Sequence, residues 1–305
     1  MKLLQKIPVP ICGLALGLAA LGNLLLPYGA ALRYICGALS LLVLLALTLK
    51  AILNFGGVKK ELENPVVFSV LPTYTMAWML LAAYLKPFAP LPALVLWYAA
   101  LVLQFVIIAL FCARFVLHFN LNKVFPSWFI TFVGFVVASV TAPAMGTTAL
   151  GQVLFYIGFV LYLVLLPLVV YRLTMVAQYP KPALPTLAIF CAPIGLCLAG
   201  YLAAFEQKNT VLLYVLLVMA AASYLFVLTQ LPALLRLPFF PSYSSFTFPL
   251  VICAIGFNRA GALLAGGPLF TALAFVSTLV AVAAVLYVLV RYCLFLFAPQ
   301  KQAQP

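Results

Sequence analysis

The chain has 305 residues, of which 68% are apolar and 6% charged, with a formal net charge of +13 and a mean hydropathy of +1.28. A soluble domain of this length carries about 25% charged residues, so a water-covered surface is excluded and lipid is the solvent. The basic residues are scattered rather than gathered on a polar face, which excludes a nucleic-acid partner.

Ten stretches supply the roughly 20 apolar residues that a helix needs to cross a bilayer: 8–27, 31–53, 66–85, 91–113, 126–146, 150–171, 184–205, 210–231, 243–264 and 269–297. They lack period-2 alternation and are too long for tilted strands, so a barrel is excluded. The prediction is an all-α integral membrane protein, with residues 1–298 as one ten-helix domain and 299–305 as a short polar tail. Lys2 and Lys6 followed by an apolar stretch imitate a signal peptide. Pro8 and Pro10 interrupt that stretch and no small-x-small cleavage site follows, so a retained first span is expected. The seven cysteines lie in or beside apolar runs without metal-type spacing and read as packing residues. No metal or other cofactor is expected.

Orientation follows from the basic residues. With the N-terminus inside, the cytoplasmic set is Lys2, Lys6, Lys50, Lys59, Lys60, Arg114, Lys123, Arg172, Lys181, Arg236, Arg291 and Lys301. The opposite side holds Arg33, Lys86, Lys208 and Arg259. Cytoplasmic loops carry the excess of Lys and Arg, so both termini are expected in the cytoplasm.

Prolines mark the entry to every odd-numbered span: Pro8, Pro65, Pro126, Pro185 and Pro241. Each interval holds one helix out and one back, which predicts five helical hairpins in a quasi-five-fold arrangement. Spans 3, 5, 7 and 9 also carry internal prolines, Pro72, Pro143, Pro193 and Pro249, whereas span 1 has Gly13 and Gly17. Among the even spans Pro167 is the clear exception to an absence of proline. Internal proline removes a backbone hydrogen bond and kinks a helix, and lipid cannot satisfy the freed carbonyl. The odd helices are therefore expected to form an inner ring around a central pore, with the even helices facing lipid. Small polar and hydroxyl residues concentrate on the same set. Ser69, Thr73, Gly134, Ser139 and Thr247 join the glycines and prolines as candidate pore-lining residues, and Phe246 is a further one. In any one span a hydroxyl bonding back to its own helix is the commoner arrangement.

The chemistry that is missing narrows the function. Three acids occur: Glu61 and Glu63, expected as a solvated charge cluster beside Lys59 and Lys60, and Glu206 at the opposite face. No carboxylate lies within a span, which counts against a proton- or sodium-coupled carrier. No His- or Asp-based catalytic set exists, which counts against the alternative of a membrane-embedded enzyme. A non-conducting scaffold subunit would not need five proline-marked helices in register. An anion is the natural passenger, attracted by positive charge at both mouths.

Five stretches carry a resemblance: "PICGLALGLAALG" in span 1, "NPVVFSVLP" entering span 3, "FPSWFITFVGFVVAS" in span 5, "APIGLCLAGYL" in span 7 and "SSFTFPL" in span 9. In order and spacing the chain resembles the tellurite-resistance/dicarboxylate transporter family, which holds the bacterial TehA proteins and the plant slow-type anion channels. The resemblance implies ten helices around a pore, a homotrimer in the bacterial inner membrane, and conduction of small anions, with C4-dicarboxylate, sulfite and tellurite also linked to the family. It also implies a phenylalanine plug on the ninth helix. That residue corresponds to Phe248, beside a kink expected at Pro249, and Gly13 matches a close-packed glycine of the first helix. Relatives often carry a proline in span 1 where this chain reads "GLALG", so a straighter span 1 is implied here.

A reporter fused after Pro305 should read as cytoplasmic. A signal from the opposite side would mean an odd number of crossings and would overturn the orientation.

Overall fold

The structure, a computed structural model, describes residues 2–176, 179–265 and 267–297, so the tail expected at 299–305 lies outside the described residues. Among the described residues ten helical segments are long and apolar enough to cross a membrane. They are span 1 (Ile11–Tyr28), span 2 (Ala30–Leu53), span 3 (Pro65–Leu85), span 4 (Pro90–Val116), span 5 (Trp128–Met145), span 6 (Thr148–Met175), span 7 (Lys181–Ala204), span 8 (Thr210–Leu234), span 9 (Pro241–Leu263) and span 10 (Pro268–Phe297). The protein is an all-α, multi-pass membrane protein. Side-chain caps start some of these helices: Asn64 Oδ1 accepts from Val66 N at 2.9 Å ahead of span 3, and Asn209 Oδ1 from Leu212 N at 3.0 Å ahead of span 8. Gly146, at φ +74°, ends span 5 in the left-handed conformation that glycine adopts without a Cβ clash.

The spans fall into two classes. Odd-numbered spans are 67–83% buried and even-numbered spans 28–33%. An even helix can point leucine, valine and phenylalanine outward because lipid tails are as apolar as they are. Each odd span packs on the even span that follows it, and the odd spans touch one another in a closed cycle: 1 with 3, 3 with 5, 5 with 7, 7 with 9, and 9 with 1.

The inner prolines act differently from the expectation. Pro72, Pro193 and Pro249 do not kink continuous helices; each stands in the first turn of a new one, starting at Pro72, Ala192 and Phe248. The first turn needs no intrahelical N–H donor, so proline fits there without loss. The chain ahead of each proline is a separate piece: a short α-helix (Pro65–Val70) in span 3, and 3₁₀ turns in span 7 (Lys181–Cys191) and span 9 (Pro241–Phe246). Only in span 5 is the proline internal, Pro143 within Val137–Met145. Span 1 runs as one α-helix, Ile11–Leu25, finished by a 3₁₀ turn. Among the even spans, span 8 extends to Leu234 and thereby takes in Pro232, beside Pro167 of span 6. Interruptions are tolerable in the odd spans because protein rather than lipid surrounds them.

A second correction concerns Glu61. It is not part of a solvated cluster but pairs with Lys50, which is 1% exposed near the end of span 2. Lys50 Nζ also donates to Ile7 O at 2.5 Å, and Glu61 Oε2 accepts from Val9 N at 2.9 Å. The pair thus ties the segment leading into span 1 to the end of span 2 and to the short helix Phe55–Glu61 that follows it. Breaking a buried pair from one side leaves an uncompensated charge, at a cost of about 3–5 kcal/mol when both partners are fully buried. Glu61 retains 32% exposure, so the lower part of that range applies. Glu61→Ala should therefore lower the unfolding temperature in detergent, and Lys50→Met combined with Glu61→Gln should restore most of the loss. Equal stability of all three proteins would overturn this role.

Candidate functional site

Three cavities lie in succession between the odd spans. The first, about 390 Å³, opens where those spans begin and is lined by Pro8, Pro65, Phe125, Pro182 and Pro241 with Glu61 at its edge. The middle one is about 30 Å³ and takes wall residues from every odd span and none from the even spans. Gly13 comes from span 1, Thr73 and Met76 from span 3, Phe129 and Gly134 from span 5, Ile189 and Pro193 from span 7, and Ser244, Ser245, Phe248 and Pro249 from span 9. The third, about 200 Å³, lies where the odd spans end and is lined by Asn23, Arg33, Thr141, Ile252, Arg259 and apolar neighbours. Among the described residues Phe248 alone lines both the middle and the third cavity. It is 5% exposed.

The position of Phe248 follows from the chain just ahead of it. The 3₁₀ turn Pro241–Phe246 stops at Thr247, whose φ −88° and ψ −84° are non-helical. The break therefore falls two residues before Pro249. Thr247 Oγ1 lies 2.7 Å from Ser244 O and 3.0 Å from Gly13 O, sharing its proton between them. The new helix begins when Val251 N donates to Thr247 O at 3.2 Å. Span 1 admits this segment because it presents glycine. A Cβ on Gly17 would lie 2.4 Å from Thr247 Cβ and 3.2 Å from Phe248 N, and one on Gly13 would lie 2.9 Å from Ser244 Oγ. No side chain fits there without displacing the break.

Six of the candidate residues read from the sequence meet at the middle cavity: Gly13, Thr73, Gly134, Pro193, Phe248 and Pro249. Gly17 and Thr247 stand behind it as the packing contact just described. Other candidates lie elsewhere. Phe246 is buried at 1% exposure with its ring 4.9 Å from that of Tyr243 in an edge-to-face contact. Ser69 Oγ bonds Ser127 Oγ at 2.6 Å and Val66 O at 2.9 Å, and Ser139 Oγ bonds Gly151 O at 2.7 Å. Pro72 is buried, with its carbonyl accepting from Thr75 Oγ1 at 2.8 Å, and Pro143 is exposed near the end of span 5. For most of these hydroxyls the bond to nearby backbone is the arrangement found.

Two hydroxyls are different. Ser245 Oγ is buried at the middle cavity without a hydrogen-bond partner, and Ser244 Oγ has the Tyr292 hydroxyl nearby but makes no bond of hydrogen-bonding geometry. Buried polar groups are normally satisfied, so these two are available to whatever enters. Both belong to the hydroxyls of the odd spans that the sequence pointed to as a wetted lining, within "SSFTFPL". The apolar walls, such as Met76, Phe129 and Ile189, carried no sequence signal because every span is equally apolar.

Ten spans, odd helices that beyond span 1 are interrupted within protein, and a cavity series without a carboxylate near Phe248 suit the passage of an anion. A family model for voltage-dependent anion channels, SLAC1, matches residues 6–293. The chain belongs to the SLAC1 family. No curated protein matches it. Membership carries an anion-channel-like function, and SLAC1-family proteins are channels or transporters rather than enzymes. Among the described residues no group of three or more His, Cys, Asp or Glu could hold a metal ion.

Proposed function

We propose that the protein is an anion channel whose five hairpins stand in quasi-five-fold order around a pore, with Phe248 as the gate. The observation that carries this reading is the place of Phe248, the one described residue common to the middle and third cavities. The closed cycle of contacts among the odd spans supports a central pore, as does a middle cavity walled by all five of them. At about 30 Å³ that cavity has room for about one water, too little to keep an ion hydrated. A bare ion in an apolar passage costs tens of kcal/mol, so the ring must move before anything passes. The Ser244 and Ser245 hydroxyls supply weak, neutral donors beside the constriction, of the kind that lets an ion leave again. With no carboxylate at the gate, no acid there couples passage to proton uptake and release, and flux follows the electrochemical gradient of the anion. Candidate passengers are small inorganic anions, with C4-dicarboxylate, sulfite and tellurite as further members of the class. The setting proposed is the bacterial inner membrane, with both termini cytoplasmic and three copies associated through the apolar outer faces of the even spans.

The test is anion flux in proteoliposomes under an imposed potential. Displacing one packed ring costs a few kcal/mol, and each 1.4 kcal/mol of barrier is about tenfold in rate. Phe248→Ala should raise flux about tenfold or more, and Phe246→Ala should change it little. Truncating a packed phenylalanine can cost about 3–5 kcal/mol of stability, so native mass is measured on the same preparations, where trimers are expected. A well-folded Phe248→Ala protein that conducts no more than wild type would remove Phe248 from the gate. A clean monomer in mild detergent would overturn the assembly.

A further inference from the structure

The first cavity, walled mainly by prolines, valines and phenylalanines, carries charge at one place. Glu61 is the one charged residue in its walls among the described residues, where Asn64 and Ser242 add neutral polar groups. The middle and third cavities contain no carboxylate. A carboxylate in an apolar wall repels anions across a medium that screens poorly. Glu61 therefore stands where a path for anions tolerates it least.

Its counter-ion comes from behind the wall. Lys50 belongs to span 2, an outer helix that is 28% buried, yet its own side chain is 1% exposed and turned inward to Glu61. Lys50 takes no part in the wall itself. Lys59 and Lys60, close by in sequence, are exposed, so water and salt screen them. The cation that acts on Glu61 through protein is Lys50. Stability accounts poorly for such a pair, because both charges must be desolvated and well-packed apolar residues in their place are often neutral or stabilising. The hold of Glu61 Oε2 on Val9 N does not need a charge either, since the amide oxygen of a glutamine would accept the same hydrogen bond. What the charge on Lys50 does is cancel that of Glu61.

We infer that Lys50 is an electrostatic residue of the conduction path: it never meets the ion, and by cancelling Glu61 it keeps the first cavity passable to anions. The inference rests on the anion-conduction reading above and adds to it a residue on an outer helix. Glu61 fixes the segment ahead of span 1 through Val9 N, and that hold places a carboxylate at the mouth. Lys50 removes the field that would otherwise come with it. Without Lys50 the mouth would carry one uncompensated negative charge, and clefts lined by one sign of charge select against ions of that sign. The exposed lysines beside it would then be left to attract anions to a cavity whose own wall turns them away.

Two measurements test this, and the first needs no conduction. Val67 lines the same cavity, and Val67→Cys places a thiol there in the full chain. Its reaction with anionic sulfonatoethyl and cationic trimethylammonioethyl methanethiosulfonate is followed by mass spectrometry at residue 67, at about pH 8, well above the carboxylate range. Lys50→Met should lower the anionic-to-cationic rate ratio about tenfold, because the two reagents respond in opposite senses. Lys50→Met with Glu61→Gln should return the ratio to within about twofold of its starting value. Glu61→Gln alone should raise it, and that variant decides the matter if Lys50→Met does not fold. A ratio that Lys50→Met or Glu61→Gln leaves unchanged would overturn the inference. The second measurement is single-channel chloride current through Phe248→Ala in a planar bilayer. Adding Lys50→Met should lower the current several-fold in one direction, that of entry through the first cavity, and change the other direction little. An equal loss in both directions is what a packing defect produces and would remove Lys50 from the conduction path. The two proposals fail separately. Phe248→Ala without current refutes the gate, while the thiol ratio still decides whether Lys50 neutralises the mouth.

Discussion

The arrangement depends on one contact, that of Thr247 with the glycine face of span 1. A helix broken inside a membrane exposes backbone groups that hydrocarbon cannot satisfy, so a break survives only where protein supplies partners. Thr247 supplies its own hydroxyl, shared between Ser244 O and Gly13 O, and the missing side chain of Gly17 supplies the space. This seam closes the cycle of odd spans between the ninth and the first. It also starts the second half of span 9 at Phe248, which places that ring between two cavities. Moving the break by one residue would turn the ring about 100° around a helix of 3.6 residues per turn.

Charge is distributed with comparable economy. Of three acids, Glu61 is committed to Lys50 and the lead into span 1, and the cavities around Phe248 contain none. The cations at the far end therefore lack internal counterions. In a protein interior an unpaired charge is destabilising, and the usual remedy is a carboxylate. Here solvent and mobile anions must serve instead, which is the condition an anion pathway requires. The same scarcity of acids that marks the composition thus becomes, in three dimensions, an electrostatic property of one recess.

The two-class helix pattern follows from the solvent. Even spans face lipid and gain nothing from interruption, so they run as long helices even through Pro167 and Pro232. Odd spans face one another, and three of their inner prolines, Pro72, Pro193 and Pro249, begin helices rather than bend them, whereas Pro143 stays within its helix. The expectation of kinked inner helices located the irregularities correctly but assigned them the wrong geometry. Proline in the first turn costs no hydrogen bond, and the chain ahead of it is a separate piece, a short α-helix in span 3 and 3₁₀ turns in spans 7 and 9.

The sequence by itself determined the ten crossings, their pairing around entry prolines and the division between buried and lipid-facing helices. Hydrophobic length and proline placement are local properties, and lipid leaves helices as the one solution for such a chain. Gly13 and Phe248 were also legible, through the resemblance carried by short motifs. What the tertiary structure alone decided is which residues meet. Phe246 and Phe248 are two positions apart in one motif, yet one packs on Tyr243 and the other reaches both cavities. Ser69 and Ser139 spend their hydroxyls on neighbours, whereas Ser245 leaves its own unspent at the cavity wall. Lys50 and Arg33 look alike as topology signals, but one is buried against Glu61 and the other faces a cavity without a carboxylate. The reason is physical. In a chain that is apolar all round, periodicity cannot say which face of a helix turns inward, and that choice is made only when neighbouring helices pack.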